Sequence, residues 1–229
     1  MTARDDLRAR VVRLLHELNE LGDELTIVGG TAPALYEISQ AVPIRPTEDI
    51  DVVIESKGPA QWNRLVRKIE DRGFRYAGAG APICRYVKGD LQINVMPTDD
   101  SLGFSNRWYA EAVANRIKTD FGVHVIAPLY FIATKLVAYT DPERGGGNPF
   151  MSIDLDDIVV VVRGIPELLA EIRIGTADVH VFVREQLSAL FSGADGLDIV
   201  RSHLEGDAGT QALAPALLAG ILDACAIIP

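Results

Sequence analysis

Ile27-Val28-Gly29-Gly30-Thr31 is followed by a short helix-like segment and then by Arg45-Pro46-Thr47-Glu48-Asp49-Ile50-Asp51-Val52-Val53. An apolar run ends in two glycines, and a second apolar run carries an Asp-x-Asp pair. Side chains alternate along a strand, so Asp49 and Asp51 share one face, about 7 Å apart, while Ile50 and Val52 take the other. Two carboxylates on one face repel each other and lose hydration if buried without help. A hard divalent cation, Mg²⁺ or Mn²⁺, resolves this, because it takes oxygen ligands and accepts protein carboxylates together with substrate phosphates. Gly29 and Gly30 let backbone approach a ligand closely, and the N–H groups of a helix starting there can face an anion. Thr31 adds a hydroxyl donor. Taken alone, Asp-x-Asp is also an ordinary surface pattern on a strand.

The chain has 229 residues, enough for one large domain or two small ones with a real core. No apolar run reaches the ~18 residues that span a bilayer, and the N-terminus lacks the apolar core of a signal peptide. Cys84 and Cys225 lie far apart and suggest neither a disulfide framework nor a zinc site. These features favour a cytoplasmic protein with no membrane partner. The formal net charge is −10, which excludes a broad sequence-independent nucleic-acid binder, since such binding is driven by Lys and Arg. A local basic patch for RNA stays open, as does action on a free nucleotide or a protein.

Apolar spacing at Leu7, Val11, Leu14, Leu15 and Leu18 predicts a helix over 4–22, stopped at Gly22. A buried strand over Leu25–Val28 follows, then a helix over Thr31–Ser39 with Pro33 in its first turn. Arg45 falls in the next loop, where it either meets a substrate phosphate or pairs with an acid. A strand over Asp49–Glu55, a helix over Pro59–Asp71, and strands at about 82–87 and 90–96 joined by a turn at Lys88-Gly89-Asp90 complete an α/β half with a small mixed sheet. Ser105 is placed to cap a helix over 106–114, Trp108 and Tyr109 either stack on a base or, as such aromatics more often do, pack a domain junction, and 116–126 reads as one or two closing strands. From Ala127 the pattern is helical, with later helices at about 166–173, 177–192, 195–204 and 209–227. His180 and His203 read as ordinary helix residues. Lys135, on an apolar helix face, needs a partner or a route to solvent.

The pattern Gly-Gly-Thr-Ala, then Arg-Pro-Thr-Glu-Asp-Ile-Asp, resembles that of AbiEii-type (type IV toxin-like) nucleotidyltransferases of the DNA polymerase β superfamily. Leu102-Gly103-Phe104-Ser105-Asn106-Arg107-Trp108-Tyr109, the run Ala133-Thr134-Lys135-Leu136 and Ser152-Ile153-Asp154-Leu155-Asp156-Asp157-Ile158 resemble further segments of that family. The resemblance implies an α+β fold: a polymerase β-like nucleotidyltransferase domain over 1–126 and a C-terminal helical domain over 127–229. It implies metal-dependent transfer of a nucleoside monophosphate from an NTP to a hydroxyl acceptor. Gly29, Gly30, Thr31 and Arg45 would hold the triphosphate, Asp49 and Asp51 the Mg²⁺. Lys135 would neutralise phosphate, and Asp154 would position metal or acceptor. Apart from the resemblance, Arg144 in the glycine-rich loop over Asp141–Phe150 is placed to reach substrate. Some relatives modify the 3′ end of tRNA, so tRNA, another RNA or a protein is the candidate acceptor. A toxin would imply a protein antitoxin.

One departure matters. Where the family carries a third aspartate, in a pattern like Val-Asp-Val-Met-Pro-Thr-Asp, this chain has Asn94. Asparagine can offer an oxygen to metal but carries no charge and takes no proton usefully. Either Asp90, Asp99 or a downstream acid supplies the charge, or the chemistry is weakened. Asp90 lies about 13 Å from Asn94 along an extended chain, which counts against it. The competing reading is a nucleotide-binding or interaction module that lost the third carboxylate. A kinase-like toxin that moves the γ-phosphate is a third.

Overall fold

A computed structural model describes residues 2–142 and 147–226; Arg144 lies outside them. The chain divides into two compact units, one of Met1–Tyr36 and Ile44–Ala127, the other of Glu37–Pro43 and Pro128–Pro229. Among the described residues there are ten α-helices and one mixed sheet of seven strands.

The first unit opens with α1 (Ala3–Leu18), capped reciprocally by Thr2 and Asp5. Leu7, Val11, Leu14 and Leu18 form its buried stripe. It stops at Asn19, whose φ is +51°, and a 3₁₀ segment over Asn19–Glu24 carries the chain past Gly22. The helix is therefore shorter than its apolar spacing predicts, because asparagine tolerates the positive φ that ends it. The strands are β1 (Leu25–Val28), β2 (Ile50–Ile54), β3 (Arg75–Tyr76), β4 (Arg85–Lys88), β5 (Leu91–Pro97), β6 (Ile117–Lys118) and β7 (His124–Val125). Their order is β3-β4-β5-β2-β1-β7-β6. β2 runs parallel to β5 and antiparallel to β1, while β4 and β5 form a hairpin. β1 is buried throughout and β2 nearly so, so both faces of the sheet centre are covered. Helix α2 (Pro59–Asp71) buries Trp62, Leu65 and Ile69.

Two expected helices change form. Gly29–Leu35 is a 3₁₀ segment, and Tyr36 is already extended. The segment begins at Gly29 rather than Thr31, which moves Pro33 from a first-turn position to the place where its missing N–H is needed for an α-helical bond. Tyr36 instead donates its hydroxyl to the Ile126 carbonyl at 2.7 Å. Helix α3 spans Tyr109–Ala114 without a side-chain cap. Ser105 does not cap it; Asn106 Oδ1 accepts from the Trp108 N–H at 3.1 Å and shapes the turn. Trp108 is buried in this unit, with the Arg107 guanidinium 4.5 Å over its ring.

The second unit is helical: α4 (Pro128–Thr140), α5 (Ile153–Gly164), α6 (Glu167–Ile174), α7 (Asp178–Phe191), α8 (Gly196–Ser202), α9 (Ala208–Gln211) and α10 (Ala214–Cys225). Phe131, Leu136, Ile158, Val162, Leu187, Phe191 and Ile221 make its core. The single terminal helix expected over 209–227 is two, with Pro215 in the first turn of the second. Ala208–Cys225, taken together, is apolar and long enough to cross a membrane by composition, with mean hydropathy 1.3. That corrects the reading that no run is so long; the stretch holds two helices whose buried residues include Ala214, Ile221 and Ala224.

Candidate active site

One rung of the sheet assembles the centre of the first unit. Val28 pairs with Asp51, Asp51 with Asn94, and Asn94 with Arg85. Paired residues on neighbouring strands present their side chains to the same face, so Asp51, Asn94 and Arg85 stand in a row beside the glycines that follow Val28. Asp49 lies one residue before β2 and reaches the same place. Asn94 Nδ2 donates to Asp49 Oδ2 at 2.9 Å and to Asp51 Oδ1 at 2.8 Å. Arg85 donates from Nε to Asn94 Oδ1 at 2.9 Å and from Nη2 to Asp49 Oδ2 at 2.7 Å. The carboxylates therefore converge on one point.

The glycines are required by closeness rather than by turn geometry alone. At Gly29 φ is +60°, and a Cβ built there would lie 2.0 Å from Asp51 Oδ2. A Cβ at Gly30 would lie 2.5 Å from an Arg45 guanidinium nitrogen, so Arg45 lies over the elbow. Thr31 is fully buried and donates its hydroxyl to the Asp49 carbonyl at 3.2 Å; it ties the elbow to the start of β2 instead of presenting a donor outward. Thr47 donates to Asp49 Oδ1 at 3.2 Å. Arg10, from α1, donates to the carbonyls of Thr47 and Glu48 and holds the loop that delivers Asp49.

The acids considered as substitutes for a third carboxylate are engaged elsewhere. Asp90 pairs with Arg13 at 2.8 Å. Asp99 accepts from the Gly58 and Ser101 backbone N–H groups at 2.6 and 3.0 Å. It lines a cleft of about 940 Å³ beyond the far end of β2, with Ser56, Arg116 and His124. Among the described residues no three His, Cys, Asp or Glu side chains gather as a metal group. The donor set at the rung fits a single divalent cation held by Asp49 and Asp51, since two of their oxygens already share one partner atom. Asn94 adds an uncharged amide to this set, so Asp49 and Asp51 are its two charged oxygen ligands.

Lys135 and Asp154 lie in the second unit and are brought together there. Lys135 Nζ is 2.9 Å from Asp154 Oδ1 and 2.7 Å from Asp157 Oδ2, all three side chains being at least 88% buried. Burial alone pulls the Lys135 ammonium down, but Asp157 and Asp154 outweigh it and hold its pKa above the usual lysine value. The partner that a buried lysine needs is thus a pair of aspartates, Asp154 and Asp157. Ser152 caps α5 by accepting from the Leu155 N–H at 3.3 Å, which sets Asp154 and Asp157 one turn apart against α4. His203 is more than an ordinary helix residue. Its ring nitrogens lie 2.5 Å from Asp156 Oδ1 and 2.6 Å from the Pro149 carbonyl, which pins the segment before α5.

Arg85 completes the cluster of Asp49, Asp51 and Asn94 and was not singled out from the sequence. Its signal was present: a turn at Gly89-Asp90 that pairs Lys88 with Leu91 also pairs Arg85 with Asn94, by counting outward along the hairpin. Neither the family models nor the curated proteins contain a match to this chain.

Proposed function

We propose that this chain is a polymerase β-like nucleotidyltransferase. Its first unit binds a nucleoside triphosphate with one Mg²⁺ and passes the nucleoside monophosphate to a hydroxyl acceptor with loss of pyrophosphate. The observation that carries the reading is the convergence of Asp49 Oδ2 and Asp51 Oδ1 on one point, beside an elbow at which Gly29 and Gly30 leave no room for a Cβ. Asp49 and Asp51 hold the cation, with Asn94 as the neighbouring amide. When bound, the cation neutralises the polyphosphate and polarises the phosphoryl group under attack. Gly29 lets the Asp51 carboxylate, and Gly30 the Arg45 guanidinium, lie against the backbone, so Arg45 adds a positive charge over the elbow where the polyphosphate would be held. The resemblance would give Lys135 to phosphate charge and Asp154 to metal or acceptor, but both are spent on the buried ion cluster with Asp157, so the reading rests on the first unit alone. Catalysis here is positioning and charge stabilisation of an in-line displacement. No carboxylate at position 94 receives the acceptor proton, so that proton leaves to solvent and turnover is slow. The acceptor is a hydroxyl of an RNA end or of a protein; with a net charge of −10, an RNA would be held over a small surface. If the chain is a toxin, a separate antitoxin restrains it.

A second reading has its own observation. The Asn94 amide and the Arg85 guanidinium already satisfy both carboxylates, as suits a module that binds nucleotide and no longer turns it over. Incubation with α-labelled NTPs, Mg²⁺ and total RNA or protein separates the two. Label in an acceptor supports the enzyme, whereas NTP binding without labelling until Asn94→Asp is made supports the degenerate module. Label from γ- but not α-labelled ATP would indicate phosphate transfer. Asp49→Asn with Asp51→Asn abolishes Mg²⁺-dependent NTP binding in calorimetry; unchanged affinity removes the metal assignment.

A further inference from the structure

We infer that Arg85 controls entry of the cation by holding the Asn94 amide in the orientation that excludes it. This rests on the metal assignment to Asp49 and Asp51 made above and adds a residue to it. The orientation of the amide follows from its neighbours. Arg85 Nε is a donor only, so the Asn94 atom 2.9 Å away is the oxygen. Both carboxylates accept only, so the atom facing them is the NH₂ group. Reversing the amide would set donor against donor at Arg85 and oxygen against oxygen at Asp49 and Asp51. All three contacts select one orientation, which removes the usual ambiguity of an amide.

In that orientation the positive end of the amide dipole sits at the point the two carboxylates share. A divalent cation there meets the amide hydrogens and the Arg85 charge on Asp49 Oδ2 at 2.7 Å. Entry therefore requires the amide to turn, so that Oδ1 joins the carboxylates as a third oxygen. The turn strips Arg85 Nε of its acceptor, and the cation displaces Nη2 from Asp49. Arg85 must leave. Its two bonds come from one edge of the guanidinium fork, it is three-quarters buried, and the β4–β5 hairpin fixes its register opposite Asn94. The hold is thus a property of the folded hairpin rather than a passing surface contact.

The test is Mn²⁺ binding to the full chain without nucleotide, followed by electron paramagnetic resonance of free Mn²⁺. Arg85→Met is expected to bind Mn²⁺ on the order of tenfold more tightly than wild type, the equivalent of one charge-assisted hydrogen bond lost. Equal or weaker binding in Arg85→Met, with binding still lost in Asp49→Asn/Asp51→Asn, overturns the role of Arg85 and leaves the metal assignment standing. Binding that survives Asp49→Asn/Asp51→Asn overturns both. A readout on wild type guards against a misfolded variant. Phenylglyoxal modification of Arg85, followed by mass spectrometry, is expected to rise several-fold at saturating Mn²⁺ as the guanidinium is released. Modification unchanged by Mn²⁺ overturns the inference.

Discussion

Replacing Lys135 by Met tests the buried charge cluster of the second unit. The Lys135, Asp154 and Asp157 side chains are 10%, 12% and 4% exposed, so water replaces little of what the substitution removes. Losing one partner of a buried ion pair costs about 3–5 kcal/mol, most of it the desolvated charge left behind. For a unit of roughly a hundred residues this lowers the midpoint by on the order of 15–30 °C. Thermal unfolding followed by circular dichroism reads it directly, because this unit is helical. Removing all three charges, as Lys135→Met/Asp154→Leu/Asp157→Leu, is expected to recover most of the loss, since apolar replacement of a whole buried ion set is often neutral. The pH dependence has a definite sign. The Lys135 pKa is raised in the folded chain, with burial opposing and Asp157 and Asp154 prevailing. Its stabilisation is therefore complete below the ordinary lysine value near ~10.4 and is lost as pH climbs through the raised value. Wild type should lose stability above that pH more steeply than Lys135→Met. A single variant within about 1 kcal/mol of wild type would refute the argument, because a partner group that tolerates losing its counter-ion is not effectively buried.

At the elbow, Gly29→Ala combines left-handed backbone strain of about 1–2 kcal/mol with a methyl group 2.0 Å from Asp51 Oδ2. It should abolish cation binding while leaving a folded protein, and titration with Mn²⁺ beside a urea melt distinguishes the two effects. Asn94→Asp should strengthen Mg²⁺-dependent NTP binding measured by calorimetry; an affinity equal to wild type would mean the amide does not limit the site.

Much of this architecture can be read along the chain. The apolar run ending in Gly29-Gly30 becomes β1, and the Asp-x-Asp run becomes β2, because both segments pack as strands and alternation fixes which carboxylates share a face. Pro59–Asp71 keeps its predicted limits, punctuated by Gly58 and Gly73. What stays hidden depends on pairing between distant segments. β3 has two residues and exists through its partner β4. Pro33 sets a 3₁₀ segment only once the segment is known to start at Gly29. The Arg85–Asn94–Asp49 contacts need the β4–β5 register and the parallel β2–β5 pairing at once, and local spacing supplies only the first. Lys135 declared its need for a counter-charge, while the choice of two aspartates over a polyphosphate came from the way α5 lies against α4.

The heptapeptide Glu37–Pro43 belongs to the helical unit although it is flanked on both sides by residues of the sheet unit. Ile38 is 4% exposed, and a Cβ added at Gly164 would come within 2.6 Å of it. No single cut can then liberate either half intact. Severing the polypeptide after Ala127 would strand this small plug on the wrong fragment and open a gap over Gly164. Two co-expressed pieces should therefore reassociate or precipitate, whereas a permuted chain that keeps the plug covalently joined to α4 should not.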